Sequence, residues 1–275
     1  MLSHCAHIPG PPLSQYVERL WIVRGRLSSR WRNLIFPDGT MEMIFNLGDP
    51  QKLCARENHE RHSVFKRSWI SGQRTQPIVI EECGEIHLVG VRFKPGGAYP
   101  FFHFPISELT GHVTELEDIW GAQIGELREK LALHAAPKAV FAQLEKWLRQ
   151  QLSAHVAAGV GNRSVAFALN ELGKRGGAPR IVHLVEQAGI SHKHLIREFD
   201  RWVGLTPKLL ARLHAFQTAV AWIGFKPAVD WADTAIACGY YDQAHFIREF
   251  RAFSGLTPEA YLARRGPFLN YLEVP

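Results

Sequence analysis

Between residues 17 and 97, apolar side chains come in short runs rich in Val, Ile and Phe: Val17 to Leu27, Met41 to Leu47, Ile78 to Glu82 and Ile86 to Phe93. Turn-forming stretches separate them, F-P-D-G-T from Phe36, L-G-D-P from Leu47, E-C-G from Glu82 and K-P-G-G from Lys94. The pattern predicts strands joined by tight connections. No long helical period interrupts them, so the sheet is expected to be antiparallel, a small barrel or a sandwich. The polar stretch from Arg56 to Arg67 reads as a loop.

From Pro105 the apolar period lengthens to that of helices, short ones around Ser107–Leu109 and Leu116–Ile119, then near Gln123–Leu133. The stretch from Pro137 to Leu152 is clearer. Pro137 suits a first helical position, and Val140, Phe141, Leu144, Leu148 and Leu152 form one stripe. Trp147 and Arg149 lie outside that stripe, so the helix serves either dimerisation or ordinary packing between domains. A small-residue linker follows at 154–162, then a helix from Ser164 to Arg175 and the break G-G-A-P ending at Pro179. The expected organisation is α+β: a strand-rich domain with C-terminal helices over 1–153, the linker, and an all-helical domain over 163–275.

That second domain states one phrase twice. I-R-E-F-D-R-W-V-G-L-T-P begins at Ile196 and I-R-E-F-R-A-F-S-G-L-T-P at Ile247, 51 residues apart, with eight of 12 positions identical. The segment G-L-T-P has a local meaning. Gly204 or Gly255 ends a helix in the left-handed conformation and Leu205 or Leu256 closes that end. Thr206 or Thr257 caps the next helix, and Pro207 or Pro258 opens it. Upstream, Ile181 to Ala188 and Trp231 to Cys238 each form a short helix, then a glycine turn, then a longer helix (His192 to Val203; Gln243 to Phe253). Short helix, turn and longer helix is the helix-turn-helix arrangement, here at about 181–204 and 231–254. In the longer helices Leu195 and Phe199, and likewise Phe246 and Phe250, share an inward face. Lys193, Arg197, Ala244 and Arg248 project elsewhere from the early turns.

Composition sharpens this. The 275 residues, 46 % apolar and 21 % charged, suffice for two globular domains. No run of 18 apolar residues spans a membrane, the opening residues lack the basic flank and apolar stretch of a secretory signal, and the cytoplasm is the expected location. Residues 160–266 carry 14 Lys and Arg against 9 Asp and Glu, which permits a polyanionic partner. Cys5, Cys54, Cys83 and Cys238 lie far apart with no C-x-x-C pair, arguing against a zinc ribbon or a disulfide framework.

The segments A-G-I-S-H-K-H-L-I-R-E-F (Ala188 to Phe199) and C-G-Y-Y-D-Q-A-H-F-I-R-E-F-R-A-F-S-G-L-T-P-E-A-Y (Cys238 to Tyr261) resemble the paired helix-turn-helix units of the AraC family of bacterial transcription regulators. The resemblance covers about Ile181 to Arg265. It implies that Pro207 to Ile223 is the long helix joining two reading heads, which would enter adjacent major grooves of double-stranded DNA. The family's base-reading positions fall on Lys193 and Arg197 in the first unit and on Gln243, Ala244 and Arg248 in the second. Arg suits guanine O6 and N7, Gln adenine N6 and N7, and Ala a thymine methyl. His194 and His245 contact phosphate or fill the turn, and Thr206 and Thr257 are candidates for holding phosphate. Family members usually carry a companion domain, often a cupin-like barrel, that senses a small molecule or dimerises. A small-molecule effector, a second copy of the chain and RNA polymerase are therefore partners the resemblance allows. The stretches from Phe36, Gly90 and Pro105 resemble an N-terminal domain recurrent among family members, which brings no known ligand.

Other chemistry is weaker. The 14 histidines, His59, His62, His87 and His103 among them, show no pairing with carboxylates at metal-ligand spacing, so no metal and no cofactor are expected. Arg92, flanked by Val91 and Phe93, is a candidate for an anionic effector, although an internal carboxylate such as Glu42 or Glu85 would serve it as well. A DNA-repair methyltransferase with an appended helix-turn-helix domain is the enzymatic alternative, with Cys54 or Cys83 accepting the alkyl group. Glu81, Glu82 and Glu85 are poor company for a Cys83 thiolate, and the zinc cluster of such enzymes is missing, so no enzyme is expected. A ligand-independent regulator under a protein partner is the remaining alternative.

Overall fold

The computed structural model describes residues 2–56, 58–102, 104–156, 162–174, 181–224, 226 and 229–274. His103, the G-G-A-P break and most of the expected linker lie outside these residues.

Among the described residues the strands form one nine-stranded antiparallel sheet, eight strands from the N-terminal half and a ninth from beyond the last helix. Its strands are β1 (Ser3–His7), β2 (Val17–Ile35), β3 (Met41–Asn46), β4 (Gln51–Cys54), β5 (His62–Phe65), β6 (Ser68–Ser71), β7 (Ile78–Phe93), β8 (Val113–Glu115) and β9 (Tyr271–Glu273). The main path runs β1-β2-β7-β3-β6-β8 and has two free ends, so the sheet does not close into a barrel.

Two expectations are corrected here. The segment E-C-G is not a turn, because β7 runs through it. Leu27 pairs with Gly84 and Trp31 with Glu82, leaving three residues of β2 opposite Cys83, an irregularity that bends both strands. Gly84 has φ +80°, and a side chain there would meet the Asp49 carboxylate, which accepts from the Glu85 amide at 2.7 Å. The polar stretch after Arg56 is likewise not all loop, since His62–Phe65 forms a hairpin with β4. Backbone pairing supplies the bonds, and its outward side chains need no apolar alternation, which is why the pattern hid it.

A cluster on β7 is expected to make the sheet acid-sensitive. Glu81, 5 % exposed, accepts from Lys52 at 2.8 Å and from Arg32 at 2.7 Å. The Lys52 ammonium, then the Arg32 guanidinium, hold its carboxyl down at about 2 against the upward push of burial. A depressed carboxylate stabilises the fold above its ordinary value and loses that contribution as pH falls toward the depressed one. Glu81→Gln is therefore expected to flatten the fall in melting temperature between about pH 4.5 and 2, a loss of about 1–3 kcal/mol in the parent. Thermal melts across that range check it.

Three helices share a buried core with the sheet: α1 (Glu117–Trp120), α2 (Ala122–Ala132) and α3 (Pro137–Val156). The stripe expected on α3 is buried throughout. Trp147 is buried as well, edge-on to Trp120 at 5.5 Å, which makes it part of this core. Arg149 donates to the Pro11 carbonyl and to Glu145. These contacts are those of a packing helix.

The rest is helical: α4 (Arg163–Lys174), α5 (Ile181–Ala188), α6 (His192–Val203), α7 (Pro207–Gly224), α8 (Trp231–Ala237), α9 (Gln243–Ser254) and α10 (Pro258–Arg264). Its core is not self-contained. Leu34, Phe36, Cys54 and Val79 of the strand-rich half belong to the same buried cluster as Leu210, Phe216, Phe250 and Tyr261. Phe36 lies 5.8 Å from Phe216 and 5.7 Å from Tyr261, and Gln217 donates to the Pro37 carbonyl at 2.7 Å. Strand β9, after the last helix, returns to pair with Asn33–Ile35 of β2. On the other side, Tyr99 packs on Trp202 at 4.2 Å and Thr110 donates to the Gly204 carbonyl at 2.8 Å. Contacts thus join the strand-rich and helical parts at both places.

Candidate nucleic-acid interface

Each long helix of the repeated phrase is fixed at both ends by the residues beside it. Ser191 caps α6, its hydroxyl accepting from the His194 amide at 3.1 Å. Asp242 caps α9, its carboxylate accepting from the His245 amide at 2.6 Å. Asp230 caps α8 in the same way, through the Asp233 amide at 2.9 Å. These caps satisfy amide groups that the first helical turn leaves without partners. At the far ends, Gly204 (φ +78°) and Gly255 (φ +76°) are left-handed, and their amides close the last turns onto the carbonyls of Phe199 and Arg251. Thr206 and Thr257 then cap α7 and α10, accepting from the amides of Leu209 and Ala260 at 3.2 Å each. The G-L-T-P segments therefore do the same local work twice, as their residue types predict.

The faces sort as expected. Leu195, Phe199 and Val203 of α6 and Phe246, Phe250 and Phe253 of α9 are buried. Lys193 and Arg197 are exposed on α6, as are Gln243, Ala244 and Arg248 on α9. His194 is half-buried, and its Nδ1 lies 2.8 Å from an Arg197 Nη. It thus steadies the arginine one turn on. His245 is half-buried against Tyr240, the rings 5.5 Å apart and nearly perpendicular.

The joining helix α7 buries Leu210, Leu213, Phe216, Ala219, Val220 and Ile223. Arg212 on α7 makes a two-point ion pair with Glu249 on α9, at 2.6 and 2.9 Å, and its guanidinium also lies over the Phe253 ring. Geometry of this kind is stronger than a single charge contact and fixes orientation. The Glu249 hydrogen bonds hold the Arg212 pKa above its ordinary value. Sequence inspection overlooked this pair and the three caps. The caps had a signal, a Ser or Asp directly before each periodic run. The ion pair, 37 residues apart in sequence, had none.

Arg92 stands elsewhere. Its three nitrogens donate to Asp38 at 2.5 Å, Glu42 at 2.8 Å and Glu18 at 3.2 Å. The internal partner expected in Glu42 is present, whereas Glu85 lies opposite Arg26 on another part of β7. Burial pushes the Glu42 carboxyl up in spite of the arginine. Cys54 is buried, with its thiol pushed up by burial and then by Glu81, and Cys83 is exposed. His87 receives the Arg24 Nε at 2.7 Å, and burial, then that charge, lowers it to about 4. Among the described residues, no group of three His, Cys, Asp or Glu is placed to hold a metal ion, and no helix is long and apolar enough to cross a membrane.

Residues 184–264 match a family described as a helix-turn-helix domain. The chain carries an AraC-type helix-turn-helix domain. This AraC-type domain is the kind found in DNA-binding transcription regulators. Residues 6–115 match a family described as a domain of unknown function, DUF6597. No curated protein matches the chain. Among solved structures, ToxT from Vibrio cholerae is similar at 9 % identity, with 86 % of this chain and 97 % of that chain covered and a TM-score of 0.45. A probable AraC family transcriptional regulator from Rhodopseudomonas palustris is 26 % identical, over 38 % of this chain and all of that one, at a TM-score of 0.34. An AraC-type regulator from Chromobacterium violaceum is 18 % identical, over 38 % of this chain and 93 % of that one, also at 0.34.

Proposed function

We propose that the protein is a sequence-specific transcription regulator whose α6 and α9 read two successive major grooves on one face of double-stranded DNA. The observation that carries this reading is the matched exposure of Lys193 and Arg197 on one helix and Gln243, Ala244 and Arg248 on the other. Leu195 and Phe199 on the first helix, and Phe246 and Phe250 on the second, are buried on another face. Arg197 and Arg248 suit guanine, Gln243 suits adenine, and Ala244 permits close approach. Thr206, Thr257 and the histidines position the units. The strand-rich half senses an effector or a second copy of the chain. It transmits that state through the shared core around Phe36 and Phe216, shifting the population of arrangements in which both helices face DNA. Transcription then changes through contact with RNA polymerase, in the cytoplasm.

Arg248→Ala tests base reading. It is expected to weaken binding to a selected duplex by about 1–3 kcal/mol and to relax preference at one base position. An equal loss on every sequence would assign Arg248 to the backbone instead. Affinity should also fall steeply as salt rises, because basic side chains displace condensed counterions from phosphate. A salt-independent affinity would contradict the reading.

A further inference from the structure

The two units are not copies throughout. From the caps onward they align at a separation of 51, Ser191 on Asp242 and the identical His194 on His245. Before the caps the separation is 50. The amide of Gly189 bonds to the carbonyl of Glu186 and that of Gly239 to Ile236. The amide of Ile190 bonds to Val185, and that of Tyr240 to Ala235. The second turn therefore holds one residue more than the first, and that residue is Tyr241.

Packing does not account for it. The residue just before a helix cap often staples the turn by an apolar contact with the fourth helical residue. In the second unit Tyr240 makes that contact, its ring 5.2 Å from Phe246, and Tyr240 is buried. Ile190, half-buried, occupies the same place in the first unit. Tyr241 is left 87 % exposed, the most exposed large apolar side chain among the described residues. It immediately precedes Asp242, so it leaves the chain at the end of α9 that also presents Gln243 and Ala244.

We propose that Tyr241 is a DNA-backbone contact particular to the second unit. Its hydroxyl donates to a phosphate oxygen at the edge of the groove that α9 enters, and its ring covers the adjoining sugar. This rests on the reading of α9 as a DNA-reading helix. A phenol donor suits phosphate without distinguishing bases, so the contact positions the helix and leaves sequence choice to Gln243 and Arg248. The inserted residue gives the second unit an anchor that the first lacks.

The test uses the full-length protein with a duplex selected from random sequence and a scrambled duplex of equal length. Tyr241→Phe removes only the hydroxyl and is expected to weaken binding to both duplexes about tenfold. The dependence of affinity on salt should stay the same, because no cation is lost. Tyr241→Ala should bind at least as weakly as Tyr241→Phe. Both variants should melt with the parent, since Tyr240 keeps the staple. Binding by Tyr241→Phe that equals the parent's, or a loss confined to the selected duplex, overturns the proposal. If selection with the unaltered chain recovers no duplex, the DNA-reading role of α9 itself fails and this inference falls with it.

Discussion

Phe216→Ala is expected to lower the stability of the folded chain by about 3–5 kcal/mol, the cost of emptying a fully buried aromatic site. Phe216 is 0 % exposed, with ring contacts to Phe250 at 5.2 Å, Phe253 at 5.4 Å and Phe36 at 5.8 Å. One side chain thus joins the linking helix, the second reading helix and the Phe36 turn of the strand-rich half. Removing it should lower the denaturant midpoint of both halves together and weaken DNA binding in the same variant. Unfolding followed by a probe in each half checks this. A midpoint that moves for the helical half alone would mean that the shared core does not couple them.

Arg92→Met is expected to cost about 2–3 kcal/mol at neutral pH. That is less than breaking a fully buried pair, because Glu18 is 39 % exposed and keeps much of its solvation. The larger part falls on Asp38 and Glu42, which are one-fifth exposed and would face each other without a counter-charge. Burial already raises Glu42, and loss of the guanidinium raises it further. A carboxyl raised in the fold stabilises it below the unfolded value and loses that contribution as pH climbs through the raised one. The deficit of Arg92→Met should therefore shrink near pH 5 and grow toward pH 8. A deficit independent of pH would show that the arginine acts through packing alone. Asp38 also accepts from the amide and hydroxyl of Thr40, so the cluster braces the turn that carries Phe36 to α7.

How much of this was legible in the sequence depends on whether the information was local. The repeated phrase encodes its own helix ends: Gly, Thr and Pro each act within four residues, and the Leu195/Phe199 and Phe246/Phe250 spacing fixes the buried face without help from the rest of the chain. The stripe on α3 was readable for the same reason. Strands β5 and β8 were not, because partners supply their backbone bonds and their side chains carry no apolar period. Strand β9 was equally hidden, since three residues after the last helix gain a structure only by returning to β2. The same holds for Phe36, whose contacts lie 180 and 225 residues onward at Phe216 and Tyr261. Tyr241 is intermediate. Its insertion is visible in the spacing, but its exposure follows only once Tyr240 is seen to occupy the staple.

The most direct test of the account is methylation interference at guanine N7 with the full-length chain on a selected duplex, because N7 lies in the major groove. Two clusters of interfering guanines should appear on one face of the helix, about 10 base pairs apart, one weakened by Arg197→Ala and the other by Arg248→Ala. A single cluster, indifferent to one of the two arginines, would contradict reading by both helices.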